Sequence, residues 1–456
     1  MMVHTTEWLM IAGTSALAAF CWRKDAIWIA FLLLASSVIY FLPSVVMMFD
    51  GSPLDDITAL RQSGSPHIIK ALAAATVVAS LLLLTRCTSI AAIPRPIPTA
   101  LASMLLIGMF TLDTPPDSQR VINTLSLVGM LLLIAAGANA LNGEIMTRSR
   151  SENSARFMAS ALCLLLLISV GLAVYEISSD VAWASFYTVD ELMVVRASSL
   201  FFNPNLFGLF CTMLAAFFGF RWHKAAGDKE NWVLLPGIFL AGVGIYLASS
   251  RSLGCLLLFF LLATGSMLPA GARSRFTPAL VYILGLLLAA ALSIAWWNLG
   301  GQGPAKHFWV LAMRLVDAPI QILAVVLREL GFSMTGEFAN LMLKPETVIA
   351  VEGRFAGEQR DSGLLTAYDD SGWLGICALV IFWVYAIWLG VHAYLHQRTV
   401  ETTYALATAA FCFAVGVLMR YQVYPVWIWV ALMLSPCFAL WKARLRFSGV
   451  LRWAYP

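Results

Sequence analysis

The chain is written as long apolar blocks joined by short polar turns. A helix needs roughly 20 apolar residues to cross about 30 Å of hydrocarbon. Blocks of that kind predict spans near 6–22, 26–48, 67–85, 97–112, 121–141, 157–178, 199–220, 232–249, 252–269, 276–298, 371–395, 403–419 and 422–441. The predicted fold class is all-α, a polytopic membrane protein with about 12–14 transmembrane helices and one long helical loop on its outer side. The alternating segments of roughly 10 residues that mark an outer-membrane barrel are absent. One long interruption runs from about Asn298 to Gly372. It divides the chain into a transmembrane bundle at 1–298, a water-facing loop at 299–370, and three last spans with a basic tail at 371–456. Inside the loop, residues 307–328 are apolar but interrupted by Arg314 and Asp317, which reads as an interfacial or bundle-packed helix.

Composition strengthens the membrane reading, since 60% hydrophobic residues, 12% charged residues and a mean hydropathy of +0.82 exceed what a soluble core needs. The eight cysteines lie in or at the ends of apolar blocks with no close CxxC pair, so they read as small core hydrophobes, not as a disulfide frame or a metal site. The first block, Trp8 to Cys21, is followed by Arg23-Lys24 without a small-residue cleavage site, which predicts an uncleaved first helix. Neither a Walker loop nor a Rossmann glycine pattern nor a basic stripe with interleaved aromatics is present, so nucleotide and nucleic-acid roles are unsupported.

Charge sets the orientation. Most of the 29 Lys and Arg residues fall in one set of connections, including Arg23, Lys24, Arg148, Arg150, Lys224, Arg275 and Arg398, and in the tail. By the positive-inside bias that face is cytoplasmic, and 49–66, 113–120, 179–198 and the long loop lie outside.

Basic residues on the outer side run against that bias and are the first candidates for chemistry. Arg196 closes the connection 179–198, just before Ser198-Ser199-Leu200-Phe201-Phe202-Asn203-Pro204-Asn205. Pro204 frees a carbonyl inside the first turns of the predicted span, and Asn203 and Asn205 are its candidate partners. These asparagines form a polar pocket at the outer helix end or only satisfy backbone around a kink. Arg251, in Ser249-Ser250-Arg251-Ser252, suits a phosphate oxygen through its planar fork, the alternative being an arginine that snorkels to headgroups. Arg314 interrupts an apolar helix and faces either a ligand or Asp317 three residues on. The run from Gly353 to Gly363 holds Arg354, Glu358, Arg360 and Asp361. A carboxylate near arginines stays ionised, the form a general base needs, so Asp361 is the first candidate, with Glu358, Asp369 and Asp370 as rivals. Asp55-Asp56 suits a divalent metal or a helix start, and His392 and His396, four apart, suit a metal pair or plain packing.

The order of these pieces resembles the O-antigen ligase and Wzy-type polysaccharide polymerase superfamily. The residues that carry the resemblance are Arg196 with Phe202-Asn203-Pro204-Asn205, then Ser250-Arg251-Ser252, then Arg314 with a helix running to Gly331-Phe332, and last Asp361-Ser362 followed after nine residues by Gly372. The resemblance implies a metal-independent glycosyltransferase of the GT-C kind in the bacterial inner membrane, with its site facing the periplasm and no cofactor. Its donors would be undecaprenyl-diphosphate-linked glycans. Arg251, Arg314 and Arg196 would hold the diphosphate, with Arg354 and Arg360 as further ligands of it. Ligases of this family carry His where this chain has Asp361, so the resemblance implies a polymerase that joins repeat units, inverting at the anomeric carbon. The alternatives are a ligase with a lipid or protein acceptor and, in another class, a flippase. A flippase and a chain-length regulator are the partners that the resemblance implies.

Overall fold

A computed structural model describes residues 96–112, 118–144, 151–178, 185–189, 192–201, 203–224, 231–272, 274–298, 363–418 and 426–447. The predicted spans at 6–22, 26–48 and 67–85 and most of the long loop lie outside the described residues. The described helices are α1 (Pro96–Phe110), α2 (Ser118–Glu144), α3 (Ser151–Ser178), α4 (Pro204–Lys224) and α5 (Asn231–Leu247). They continue with α6 (Arg251–Met267), α7 (Thr277–Asn298), α8 (Gly363–His396), α9 (Val400–Leu418) and α10 (Val426–Phe447). Four segments, Arg156–Ser178, Pro204–Lys224, Thr277–Trp296 and Thr366–His396, are long and apolar enough to cross a membrane, and the other helices carry shorter apolar stretches. The bundle is that of an all-helical membrane protein.

One departure from helix lies between α3 and α4. Strands β1 (Ser185–Val189) and β2 (Leu192–Arg196) pair antiparallel, with Ser185 opposite Arg196 and Val189 opposite Leu192. Phe186, Tyr187, Thr188, Val194 and Val195 are aromatic or β-branched and fit a pleated surface.

Helices sort by their exposed faces. On α7, Leu280, Leu284, Leu287, Leu288 and Leu292 are exposed along one side, and on α3 so are Leu164, Leu167 and Ile168. An apolar face of this extent is stable against lipid and not against water. Helix α4 is the opposite case, buried along almost its whole length. Its neighbours are α3, α5, α6, α9 and α10. Around its first turns, Phe201 meets Phe210 at 4.9 Å and stands edge-on to Trp429 of α10 at 5.4 Å. Such pairs each add about 0.5–1.5 kcal/mol beyond the area they bury.

Side-chain contacts fix which helix ends lie together. Glu176 at the end of α3 reaches Ser198, Arg196 reaches Ala248 after α5, and Gly208 in α4 lies against Ser250 at the head of α6. At the far end, Lys224 of α4 pairs with Glu401 of α9 at 3.8 Å. There too the Tyr394 hydroxyl of α8 donates to the Met267 carbonyl of α6 at 3.1 Å. Helix α8 therefore starts at the end where α4 and α6 start. Its first residues meet α1 and α2 there, where Ser371 packs on Gly108 and Asn123 donates to Asp370 at 3.3 Å. The last turns of α1, α3 and α5 and the first turns of α4, α6 and α8 share one end of the bundle.

Other helix ends shift by up to six residues, α3 beginning at Ser151 against the predicted 157, but two boundaries differ in kind. The span predicted from residue 199 begins as helix only at Pro204, because Ser199–Phe201 form a separate 3-10 turn. The span predicted from 371 begins at Gly363, with a break at Gly372 (φ 60°, ψ −153°), a conformation open to glycine alone. Residues 363–370, assigned above to the loop, are helical.

Candidate functional site

The site is built where the 192–205 segment meets the turn between α5 and α6. Asn203 is the N-cap of α4: its Oδ1 accepts the Asn205 N–H at 2.8 Å and the Leu206 N–H at 3.3 Å. Pro204 takes the first helical position, where its missing N–H is no loss. This corrects the expectation of a carbonyl freed inside the helix, because Pro204 starts the helix and does not interrupt it. Asn205 is released from backbone duty, and its Oδ1 accepts a hydrogen bond from Arg196 Nη2 at 2.8 Å.

Arg196 is held at a second point, since its Nε donates to the Ala248 carbonyl at 3.1 Å. One residue on, the Ala197 N–H donates to the Leu247 carbonyl at 3.0 Å. Leu247 is the last residue of α5 and Ala248 follows it, so both carbonyls lie where a helix leaves acceptors unpaired. A main-chain carbonyl and an amide oxygen thus hold the Arg196 side chain at two points. Together they fix the plane of the guanidinium.

Arg251 opens α6 three residues beyond Ala248, so the backbone brings its position beside the Arg196 cluster. Ser250 precedes it and makes no side-chain cap bond to the first turn of α6. A helix start that is not capped in this way keeps its amides and its positive dipole end for another acceptor. The turn is set tightly against α4: a Cβ at Gly208 would stand 2.6 Å from Ser250 Cβ. Among the described residues, the positive-φ positions other than glycine are Ser199 (51°) and Ser249 (48°). Both flank this cluster. Left-handed serines are costly and persist where the surroundings over-determine them.

A second polar cluster marks the α8 break. Asp370 is buried and accepts from Asn123 Nδ2, and Ser371 Oγ lies 3.4 Å from Thr124 Oγ1, so α2 supplies both partners. Asp369, the rival named for the base, is exposed on the same turn beside Tyr368 and Trp373, whose rings meet edge to face at 5.2 Å.

Of the residues singled out in the sequence, Arg196, Asn203 and Asn205 come together, with the Arg251 position adjoining them. Asp369 stands apart at the α8 break. Asp361, Glu358, Arg314, Arg354, Arg360 and Asp55-Asp56 lie outside the described residues. His392 and His396 stack with ring centroids 4.2 Å apart, and among the described residues no three His, Cys, Asp or Glu side chains gather as a metal site would need. Sequence reading passed over Glu176, although an acid in the last turn of an apolar helix is a signal in itself. It also passed over Asn123, which nothing in a predicted span distinguishes. No family model, curated protein or solved structure matches the chain.

Proposed function

We propose that this chain is a polymerase of lipid-linked glycans, a metal-independent membrane glycosyltransferase of about 12–14 spans. It joins undecaprenyl-diphosphate-linked repeat units into an exopolysaccharide or O-antigen at the periplasmic side of a bacterial inner membrane. The observation that supports this reading is the Arg196 cluster. A cation held in place by a main-chain carbonyl and an amide oxygen adjoins the start of α6 and the Arg251 position, on one end of an apolar bundle. A diphosphate at a membrane surface calls for such an arrangement, with cations in fixed geometry and a helix start aimed at phosphate oxygens.

In this scheme Arg196 and Arg251, with Arg314, bind the diphosphate of the donor. As the bond between the anomeric carbon and the phosphate oxygen breaks, they stabilise the charge gathering on that oxygen, the role of preorganised cations. Asp361 takes the proton from the attacking sugar hydroxyl of the second lipid-linked unit. The attack comes from the face opposite the leaving diphosphate, so the anomeric configuration inverts. Asp361 in place of histidine favours a polymerase over a ligase. A flippase that delivers the units and a regulator of chain length complete the proposal.

The test is the glycan profile of cells carrying Asp361→Asn, Arg196→Ala or Arg251→Ala at matched membrane levels. Loss of long chains with accumulation of single lipid-linked units is the expected result. Accumulation of full-length, unattached lipid-linked chains would assign a ligase instead. A normal profile in all three variants would remove the proposal.

A further inference from the structure

The scheme above gives no part to the buried acid nearest the Arg196 cluster. Glu176, in the last turn of α3, is 1% exposed. Its Oε2 accepts the Ser198 N–H at 2.7 Å, and the Ser199 amide stands beside the carboxylate. The other oxygen, Oε1, is buried with no hydrogen-bond partner among the described residues. A carboxylate placed so deep in an apolar bundle is costly, and the contact it makes has to matter to the structure or to its work.

That contact is a grip on one turn. Ser198 leads into Ser199–Phe201, whose first residue is in the left-handed region. The Ser199 hydroxyl donates to the Ser169 carbonyl at 2.6 Å, so α3 holds the turn at two points, two helical turns apart. Arg196 lies immediately before the turn, and Asn203-Pro204-Asn205 lies immediately after it. The Arg196–Asn205 hydrogen bond closes a loop of which this turn is the middle, and the direction of the guanidinium depends on the turn keeping its shape.

We infer that Glu176 is a positioning residue for Arg196, fixing through the Ser198 amide the backbone turn that presents the guanidinium to a lipid diphosphate. It touches no substrate. The inference rests on the reading of Arg196 as a diphosphate ligand, and the experiment keeps the two apart.

The full chain, in lipid nanodiscs, is titrated with undecaprenyl diphosphate as wild type and as Arg196→Ala, Glu176→Gln, Glu176→Asp and Glu176→Ala. Unfolding midpoints are taken on the same samples. Glutamine keeps an oxygen in place for the Ser198 N–H, so Glu176→Gln is expected to bind within about threefold of wild type. Asp falls one methylene short and Ala has no acceptor, so both are expected to bind about tenfold weaker or worse, roughly the effect of a lost buried hydrogen bond. Glu176→Asp is the variant to read if Glu176→Ala fails to fold. A lowered midpoint with unchanged affinity in Glu176→Asp marks a purely structural carboxylate and overturns the inference. So does Glu176→Gln binding as weakly as Glu176→Ala. If Arg196→Ala itself binds as wild type does, the diphosphate reading falls, and this inference falls with it.

Discussion

Gly208 is where the proposed site is most open to a steric test. A Cβ there would stand 2.6 Å from Ser250 Cβ and 2.9 Å from Ser250 Oγ. Ordinary contact between such carbons is about 3.5–4.0 Å, so in Gly208→Ala the helix and the turn must part by roughly 1 Å. The Ser250 hydroxyl can rotate away, but its Cβ is fixed to backbone held by the Ser250 N–H to Ile245 carbonyl bond. Overpacking against an unyielding neighbour costs about 1–3 kcal/mol. The same movement carries away Ala248, the acceptor of Arg196 Nε, so stability and glycan length should fall together. Ser250→Gly removes the obstacle and leaves Leu253 Cδ1 at 3.4 Å, an ordinary contact. The double variant should therefore recover most of the loss, with a coupling of about 1 kcal/mol or more in a double-mutant cycle. Tryptophan-fluorescence unfolding of the purified chain reads the stability arm, and the cellular glycan profile reads the other. A Gly208→Ala midpoint equal to wild type, or no recovery on adding Ser250→Gly, would refute the close packing of α4 on this turn.

Other substitutions probe neighbouring parts. Arg196→Lys keeps the charge but not the planar fork that reaches Ala248 and Asn205 at once, and should weaken undecaprenyl diphosphate binding about tenfold with the fold intact; undiminished titration would leave only the charge as important. Asn203→Ala should cost about 1 kcal/mol of unfolding free energy, and Asn203→Ser much less, since either a hydroxyl or an amide oxygen caps a helix. Gly372→Ala forces a side chain into a region open only to glycine and should cost about 1–3 kcal/mol; an unchanged midpoint would mean that α8 runs straight through.

The ends of the apolar blocks were legible in the sequence where a polar turn followed them. Hydropathy places the starts of α5, α6 and α7 within one residue of those observed, because short charged or Ser-rich turns delimit them. It fails at α4, where Leu200 and Phe201 continue the apolar block while the backbone turns in a 3-10 arc. Burial of Phe201 against Phe210 and Trp429 explains those apolar residues without any helix. It fails again at α8, whose first turns carry Asp369, Asp370 and Ser371. These polar residues read as loop until Asn123 and Thr124 of α2 are seen beside them. The nearness of Arg196, Asn205 and the Arg251 position followed from their shared end of the bundle. That Arg196 bonds Asn205 itself, and that Glu176 underlies both, depends on a turn whose left-handed serine no residue type announces.

The break in α8 bears on how the base and the cations would act together. Asp361 precedes Gly363, the first residue of α8, by two positions in the sequence. The first piece of α8 is anchored to α1 and α2 through Gly108, Asn123 and Thr124, whereas Arg196 is anchored to α5 and, through its turn, to α3. Arg196 and the helix that follows Asp361 in the sequence thus hang from different helices. A helix that continued unbroken through Gly372 would tie the direction of its first turns to the whole length of α8, which packs on α9 and reaches the far end of the bundle. A glycine hinge removes that coupling, and the first piece answers to α1 and α2 instead. Substituting Gly372 should accordingly disturb transfer more than donor binding, which is the opposite of what substituting Arg196 should do.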